Sequence, residues 1–95
     1  MVAIKEKGIK VDRKRMEAYL DGKELDIFPM EFKVLEALLM ADGMVCTVAY
    51  LAEQTGGCEN YAAITQHISR LRRHLGKRIE TVVGHGFKIR RDHHS

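Results

Sequence analysis

This sequence is short of the features that mark several large classes of protein. No apolar run approaches the ~20 residues that span a bilayer. Met1-Val2-Ala3-Ile4 gives way at once to Lys5, Glu6 and Lys7, so the long apolar region of a secretory leader is not read, and no membrane partner is expected. Cysteine is scarce: Cys46 and Cys58 are too few and too far apart for a zinc ribbon, and neither belongs to a C-x-x-C pair. Both read as reduced thiols, Cys46 as a small core residue beside Val45 and Val48, and Cys58, next to Gly57, as open to exposure. There is no glycine-rich phosphate loop, no pair of carboxylates in a marked turn and no nucleophile elbow. His67 and His74, two helical turns or ~10 Å apart, are too distant to share one metal site. The expectation is a protein that is not an enzyme and carries neither cofactor nor metal.

What is present fits one domain with a modest core. A chain of 95 residues buries roughly 60–65% of the surface its unfolded form exposes, and 45% hydrophobic with 31% charged residues is ordinary for a folded protein. Residues 1–92 are assigned to that domain, and 93–95, with nothing apolar to dock, to a disordered tail. Acid is nearly missing from the last third. Residues 1–59 carry eight Lys/Arg and eleven Asp/Glu, whereas residues 60–91 carry eight Lys/Arg and a single acid, Glu80. Such segregation makes one face attractive to a polyanion over about a Debye length, ~8–10 Å at physiological salt.

Hydrophobic spacing predicts the elements. Ile9-Lys10-Val11, Met16 to Leu20 and Leu25-Asp26-Ile27 alternate, with Asp21-Gly22 as a tight turn, and read as a small N-terminal antiparallel sheet. Pro29 opens a helix through Phe32, Leu35, Leu38 and Leu39 that stops near Asp42-Gly43, where the glycine takes the left-handed cap. A shorter helix runs from Thr47 as N-cap to Gln54, burying Val48, Leu51 and Ala52. Asn60 caps a third helix over about 60–75, with Ile64, Ile68, Leu71 and Leu75 on one stripe and Gln66, Arg70 and Arg73 on the opposite side. The period then changes. Ile79, Thr81 and Val83 alternate with Glu80 and Val82, and Gly84-His85-Gly86 turns the chain into Phe87-Lys88-Ile89, a hairpin over about 79–90. The fold class is α+β, a winged helix-turn-helix with a small N-terminal sheet, three helices and a C-terminal β-hairpin wing.

A basic third helix followed by a wing suits a recognition helix in the major groove of double-stranded DNA. Ala62 and Ala63 are small enough for close approach to base edges, Gln66 can pair bidentately with adenine, and Arg70 can fork to guanine. Ser69 and Arg73 join the candidate contacts on the helix. Arg72, Lys77 and Arg78 are placed for phosphates, Thr81 offers a hydroxyl at the base of the wing, and His85 sits at its tip.

In their order these motifs resemble the effector domain of OmpR/PhoB-type transcriptional regulators, from about Gly8 to Arg90. The matching pieces are Asp21-Gly22, Pro29-x-Glu31-Phe32, Gly43-x-Val45, His67-Ile68-Ser69-Arg70-Leu71-Arg72-Arg73, and Ile79-x-Thr81-Val82-x-Gly84-x-Gly86-Phe87. The resemblance implies a four-stranded N-terminal sheet, three helices and a C-terminal hairpin. It further implies a homodimer on tandem, directly repeated sites and a loop, 55–60, that touches RNA polymerase. Arg70 is then a base or groove contact, Arg72 and Thr81 contact the DNA backbone, and Ile68 and Leu71 are core. A cytoplasmic, nucleoid-associated regulator of bacterial type is expected.

Three departures stand out. Val83 occupies the wing position usually held by Arg, so Lys88 or His85 would have to take over a minor-groove contact. Phe28 replaces the usual Thr before the proline, which removes a side-chain cap worth ~1 kcal/mol and suggests a packing contact instead. No receiver domain is read, so the expectation is an excised effector domain or a protein controlled by its abundance or a partner. The rival reading is a winged helix that docks on protein instead of DNA. It would be marked by an exposed apolar patch at Met30, Met40, Met44 or Tyr50, although the spacing reads most of these methionines as core.

Overall fold

The computed structural model describes residues 8–57 and 60–90, so Cys58 and the predicted tail at 93–95 lie outside the described residues. The chain begins with three antiparallel strands, β1 (Ile9–Asp12), β2 (Glu17–Leu20) and β3 (Lys23–Glu24), in the order β1-β2-β3. The fourth strand implied by the resemblance is not among the described residues. Register sets the faces: Ile9 stands opposite Leu20 and Val11 opposite Ala18, so the apolar pairs share one side, while Lys10 and Tyr19 share the other. The turn into β3 has φ of 52° at Asp21 and 89° at Gly22, and two positive values are what a primed two-residue hairpin requires. Leu25 and Ile27, expected to continue a strand, instead pack on the core. The ladder reaches only as far as the Leu25 N–H, which donates to the Ala18 carbonyl at 2.8 Å. The chain must then leave the sheet to enter a helix at Pro29, and that proline holds Phe28 extended (φ −85°, ψ 162°).

Helix α1 (Pro29–Met40) is the centre of the core, with Phe32, Val34, Leu35, Ala37 and Leu38 all buried. It packs against the two later helices and the last strand. Its end differs from expectation, since the left-handed turn starts at Asp42 (φ 53°) before passing to Gly43. A short polar side chain tolerates that region better than most. The methionines also differ: Met40 at the end of α1 is 64% exposed and Met44 in the following loop 71% exposed, because both fall beyond the buried stripe. Helix α2 (Val48–Gln54) is capped by Thr47, whose hydroxyl accepts the Tyr50 N–H at 3.0 Å. Helix α3 (Tyr61–Leu75) is capped by Asn60, whose Oδ1 accepts the Ala63 N–H at 2.8 Å. Ile64, Ile68, Leu71 and Leu75 are buried as predicted, each contributing roughly 1.5–3 kcal/mol of apolar burial.

A 3-10 turn (Gly76–Arg78) leads into the wing, β4 (Ile79–Val82) and β5 (Gly86–Ile89). Ile79, Phe87 and Ile89 are buried, but Thr81 is exposed and Val83 is 86% exposed, so β4 leaves the core after its first residue and its alternation does not mark one buried face. A third segment secures the hairpin. Cys46 and Phe87 exchange both backbone hydrogen bonds, at 2.7 and 2.9 Å, so the loop between α1 and α2 pairs with β5. Gly86 lies where a Cβ would stand 2.1 Å from the Cys46 carbonyl oxygen, and its φ is +153°. Cys46 is 3% exposed, and burial pushes its thiol up.

Candidate nucleic-acid interface

The third helix has two faces with different work. Its buried stripe meets α1 and α2, which leaves Gln66, Ser69 and Arg73 exposed on the outside, with Ala62 exposed near its start. Ala63 is half-buried, its N–H committed to the cap. Arg73 in the last turn and exposed Lys77 just beyond it form no ion pair among the described residues. Basic side chains suit the C-terminal end of a helix, where the carbonyl dipoles leave partial negative charge. Arg78 is half-buried, and its carbonyl accepts the Arg90 N–H at 2.6 Å.

Arg70 and Arg72 are not free surface charges. Arg72 clasps the wing: its Nε donates to the Ile79 carbonyl at 3.1 Å, its Nη2 donates to the Thr81 hydroxyl at 2.7 Å, and its guanidinium lies 5.9 Å from the centre of the Phe87 ring. Helix and hairpin are therefore joined by a charged side chain with three attachments. Thr81 remains exposed at the root of the wing. An open cleft of about 540 Å³ is lined there by Arg72, Gly76, Lys77, Ile79, Glu80 and Thr81.

Arg70, expected to face directly away from the buried stripe, instead leans toward the start of α1. Its Nη1 lies 3.3 Å from Glu31 Oε2, and its guanidinium is 5.8 Å from the centre of the Phe28 ring. Glu31 is 2% exposed, and its other oxygen accepts the Phe28 N–H at 3.0 Å. Phe28 has no oxygen to cap the helix, so Glu31 supplies half of a capping box from inside. The packing contact expected of Phe28 is made with a cation at the surface and not in the core, since the side chain is 65% exposed and its ring faces the Arg70 guanidinium. Spacing held a signal for Glu31: it precedes Leu35 and Leu38 by four and seven residues, in phase with the buried stripe. A carboxylate there needs a partner.

His85 is exposed in the three-residue wing tip beside Val83 and Gly84. Lys88 is drawn to Glu80 across the hairpin at 3.9 Å, and Arg90 pairs with the same carboxylate at 3.2 Å. The acid in this part of the chain is thus occupied by wing cations. The structure brings Gln66, Ser69 and Arg73 together on one face and links Arg72 to Thr81. It sets Arg70 to the flank beside α1 and Lys88 within the wing's own ion pairs. Among the described residues no group of three His, Cys, Asp or Glu is arranged to hold a metal, and no helix is long and apolar enough to cross a membrane.

The model of the family "Transcriptional regulatory protein, C terminal" matches residues 22–89, from the turn before β3 to the end of the wing. The chain belongs to this family. It is the OmpR/PhoB-type effector domain, and the three-helix and wing architecture described above is its winged-helix fold. The transcriptional regulatory protein CutR of Streptomyces coelicolor is 39% identical over 89 residues, an alignment that covers 86% of this chain and 40% of CutR. The chain therefore spans 40% of the length of that curated relative. Among solved structures, the DNA-binding domain of CpxR from E. coli is similar with a TM-score of 0.74 and 30% identity, covering 83% of this chain and 86% of that one. The DNA-binding domain of the response regulator AdeR, in complex with an intercistronic region, shares the fold with a TM-score of 0.79 at 20% identity, covering 92% and 97% of the two chains.

Proposed function

We propose that this effector domain binds double-stranded DNA sequence-specifically as the output part of a transcriptional regulator. In this reading α3 enters the major groove, and the wing lies on the adjacent backbone or minor groove. The observation that carries it is the outer face of α3. Gln66, Ser69 and Arg73 are exposed there, in a segment where residues 60–90 hold seven Lys/Arg and the single acid Glu80. Ala63 permits close approach, while Gln66, Ser69 and Arg70 read base edges. Arg72, Arg73, Lys77, Arg78 and Thr81 meet phosphates, and His85 or Lys88 supplies the wing contact. Neutralising phosphates releases counterions, so affinity falls steeply with salt. The test is anisotropy with a pool of random duplexes across a salt series, followed by sequencing of the bound fraction. Salt-sensitive retention that enriches one motif supports the reading, and absence of retention at low salt refutes it.

A second surface favours a protein contact alongside DNA. Of the residues whose exposure would mark an interaction module, Met40 and Met44 are the most exposed, around the end of α1 and beside exposed Val45, and Met30 and Tyr50 are exposed to a lesser degree. A homodimer on tandem sites and an RNA polymerase contact through loop 55–60 belong to the same proposal. Gly56, Gly57 and Asn60 are exposed within that loop. Enrichment of a directly repeated motif in the selection supports the tandem dimer, while a single half-site refutes it.

A further inference from the structure

We propose that Phe28 and Glu31 are positioning residues for Arg70, holding its guanidinium in advance as the reader of one base pair. This rests on α3 being the DNA-reading helix. Glu31 is a carboxylate only 2% exposed, in a helix whose other buried residues are all apolar. Its Oε1 accepts the Phe28 N–H at 3.0 Å, which fixes the carboxylate to the backbone at the start of α1. Its Oε2 is then directed at Arg70 Nη1, 3.3 Å away. Phe28 supplies a second restraint, since its ring lies 5.8 Å from the guanidinium carbon and is 65% exposed. An aromatic side chain is a poor choice for a helix cap, where an oxygen is favoured. As a platform under a guanidinium it has a clear use.

Held along one edge and across one face, the Arg70 side chain is still 41% exposed. A guanidinium has five N–H donors, and among the described residues only Nη1 is engaged by hydrogen bonding. The remaining donors form a fork whose direction is set relative to α3 before DNA arrives, the condition for discriminating base edges. Charge argues the same way. The Glu31 carboxylate offsets the pull of Arg70 on a polyanion, so Arg70 adds little to phosphate attraction, which falls to Arg73 and Lys77. Arg70 should therefore control selectivity and leave the salt dependence alone.

The experiment selects the preferred duplex with the wild-type domain, then measures its affinity and that of each single-base variant by anisotropy. The proteins compared are wild type, Arg70→Ala, Phe28→Ala, Glu31→Gln and the Phe28→Ala/Arg70→Ala double variant. Arg70→Ala should reduce discrimination at one base pair by about 5- to 150-fold. Phe28→Ala, which retains the backbone N–H that holds Glu31, should reduce it at the same base pair by about 2- to 5-fold. Glu31→Gln should act at that base pair too, and Phe28→Tyr should restore the wild-type ratio. Phe28→Ala should leave the salt slope unchanged and should have no further effect once Arg70 is alanine, whereas Glu31→Gln, which removes the offsetting charge, should steepen it. If Glu31→Gln does not fold, the exposed Phe28 carries the test alone. Loss spread evenly over all duplexes, or persisting without Arg70, would overturn the proposal as a merely structural effect. A selective wild type whose preference survives Arg70→Ala refutes this inference alone. A wild type that selects no duplex refutes the DNA-binding reading, and this inference falls with it.

Discussion

Gly86→Ala should detach the wing from the body of the domain. The added Cβ would lie 2.1 Å from the Cys46 carbonyl oxygen and 2.9 Å from both the Cys46 carbonyl carbon and the Thr47 Cα, all backbone atoms with no flexible end to yield. Relief requires the Cys46 and Phe87 segments to separate, breaking their hydrogen bonds of 2.7 and 2.9 Å. Two such bonds contribute about 1–3 kcal/mol net, and a non-glycine residue at φ +153° costs about 1–3 kcal/mol. The sum is about 4 kcal/mol against a typical total of about 5–15 kcal/mol for a domain. At about 4–8 °C per kcal/mol for this size, the melting temperature should fall by about 15–30 °C. Gly84→Ala is the control, for its Cβ would meet nothing within 4 Å at φ +81°, leaving a backbone penalty of about 1–2 kcal/mol. Circular dichroism melts measure the loss, and amide exchange at Cys46 and Phe87 locates it. Equal melts for the two variants, or protected Cys46 and Phe87 amides in a Gly86→Ala domain melting close to wild type, would refute the reasoning.

Asn60→Ala should destabilise the domain by ~1 kcal/mol, because it leaves the Ala63 N–H without its side-chain acceptor; a urea titration measures it, and an unchanged midpoint would contradict the cap. Lys77→Ala should weaken binding to cognate and scrambled duplexes alike and lower the salt slope by about one, whereas a loss confined to the cognate duplex would remove Lys77 from the phosphate contacts. The Tyr19 phenol should titrate at about 12 instead of 10.0, chiefly because its O–H donates to Glu17 at 2.6 Å. The protonated phenol is the form favoured by folding, so its contribution to stability is complete below pH 10.0 and disappears as pH rises through about 12. Tyrosinate absorbance follows this ionisation, and Glu17→Ala should move it back toward 10.0.

Much of the fold was legible because local rules and burial agree. Ile64, Ile68, Leu71 and Leu75 repeat at the helical period and all four are buried. Thr47 and Asn60 are side chains suited to N-caps, and both accept the expected backbone N–H. Asp21-Gly22 makes the two-residue turn because few other pairs accept positive φ twice. The fate of Leu25 and Ile27 was less legible, since alternation alone does not say when a strand stops pairing and starts packing. Met40 and Met44 illustrate the same limit, because apolar character does not reveal whether the core extends that far.

The candidate interface divides along the same line. Sequence by itself determined that Gln66 and Arg73 face outward, because a helix's periodicity follows from its own geometry and places them opposite the buried stripe, but it placed Arg70 there with them, where the structure turns it toward Glu31. Sequence determined the charge asymmetry as well, which needs only counting. Tertiary structure alone decided which arginines are free. Arg70 meets Glu31 across 39 positions of sequence, and Arg72 reaches Thr81 on the wing. Cys46 joins Phe87 through backbone groups that carry no residue-specific signal. Local propensity is encoded by neighbours within a turn or two of chain, but these partnerships arise only when α1, α3 and the wing pack together. A basic residue's role depends on what that packing brings beside it.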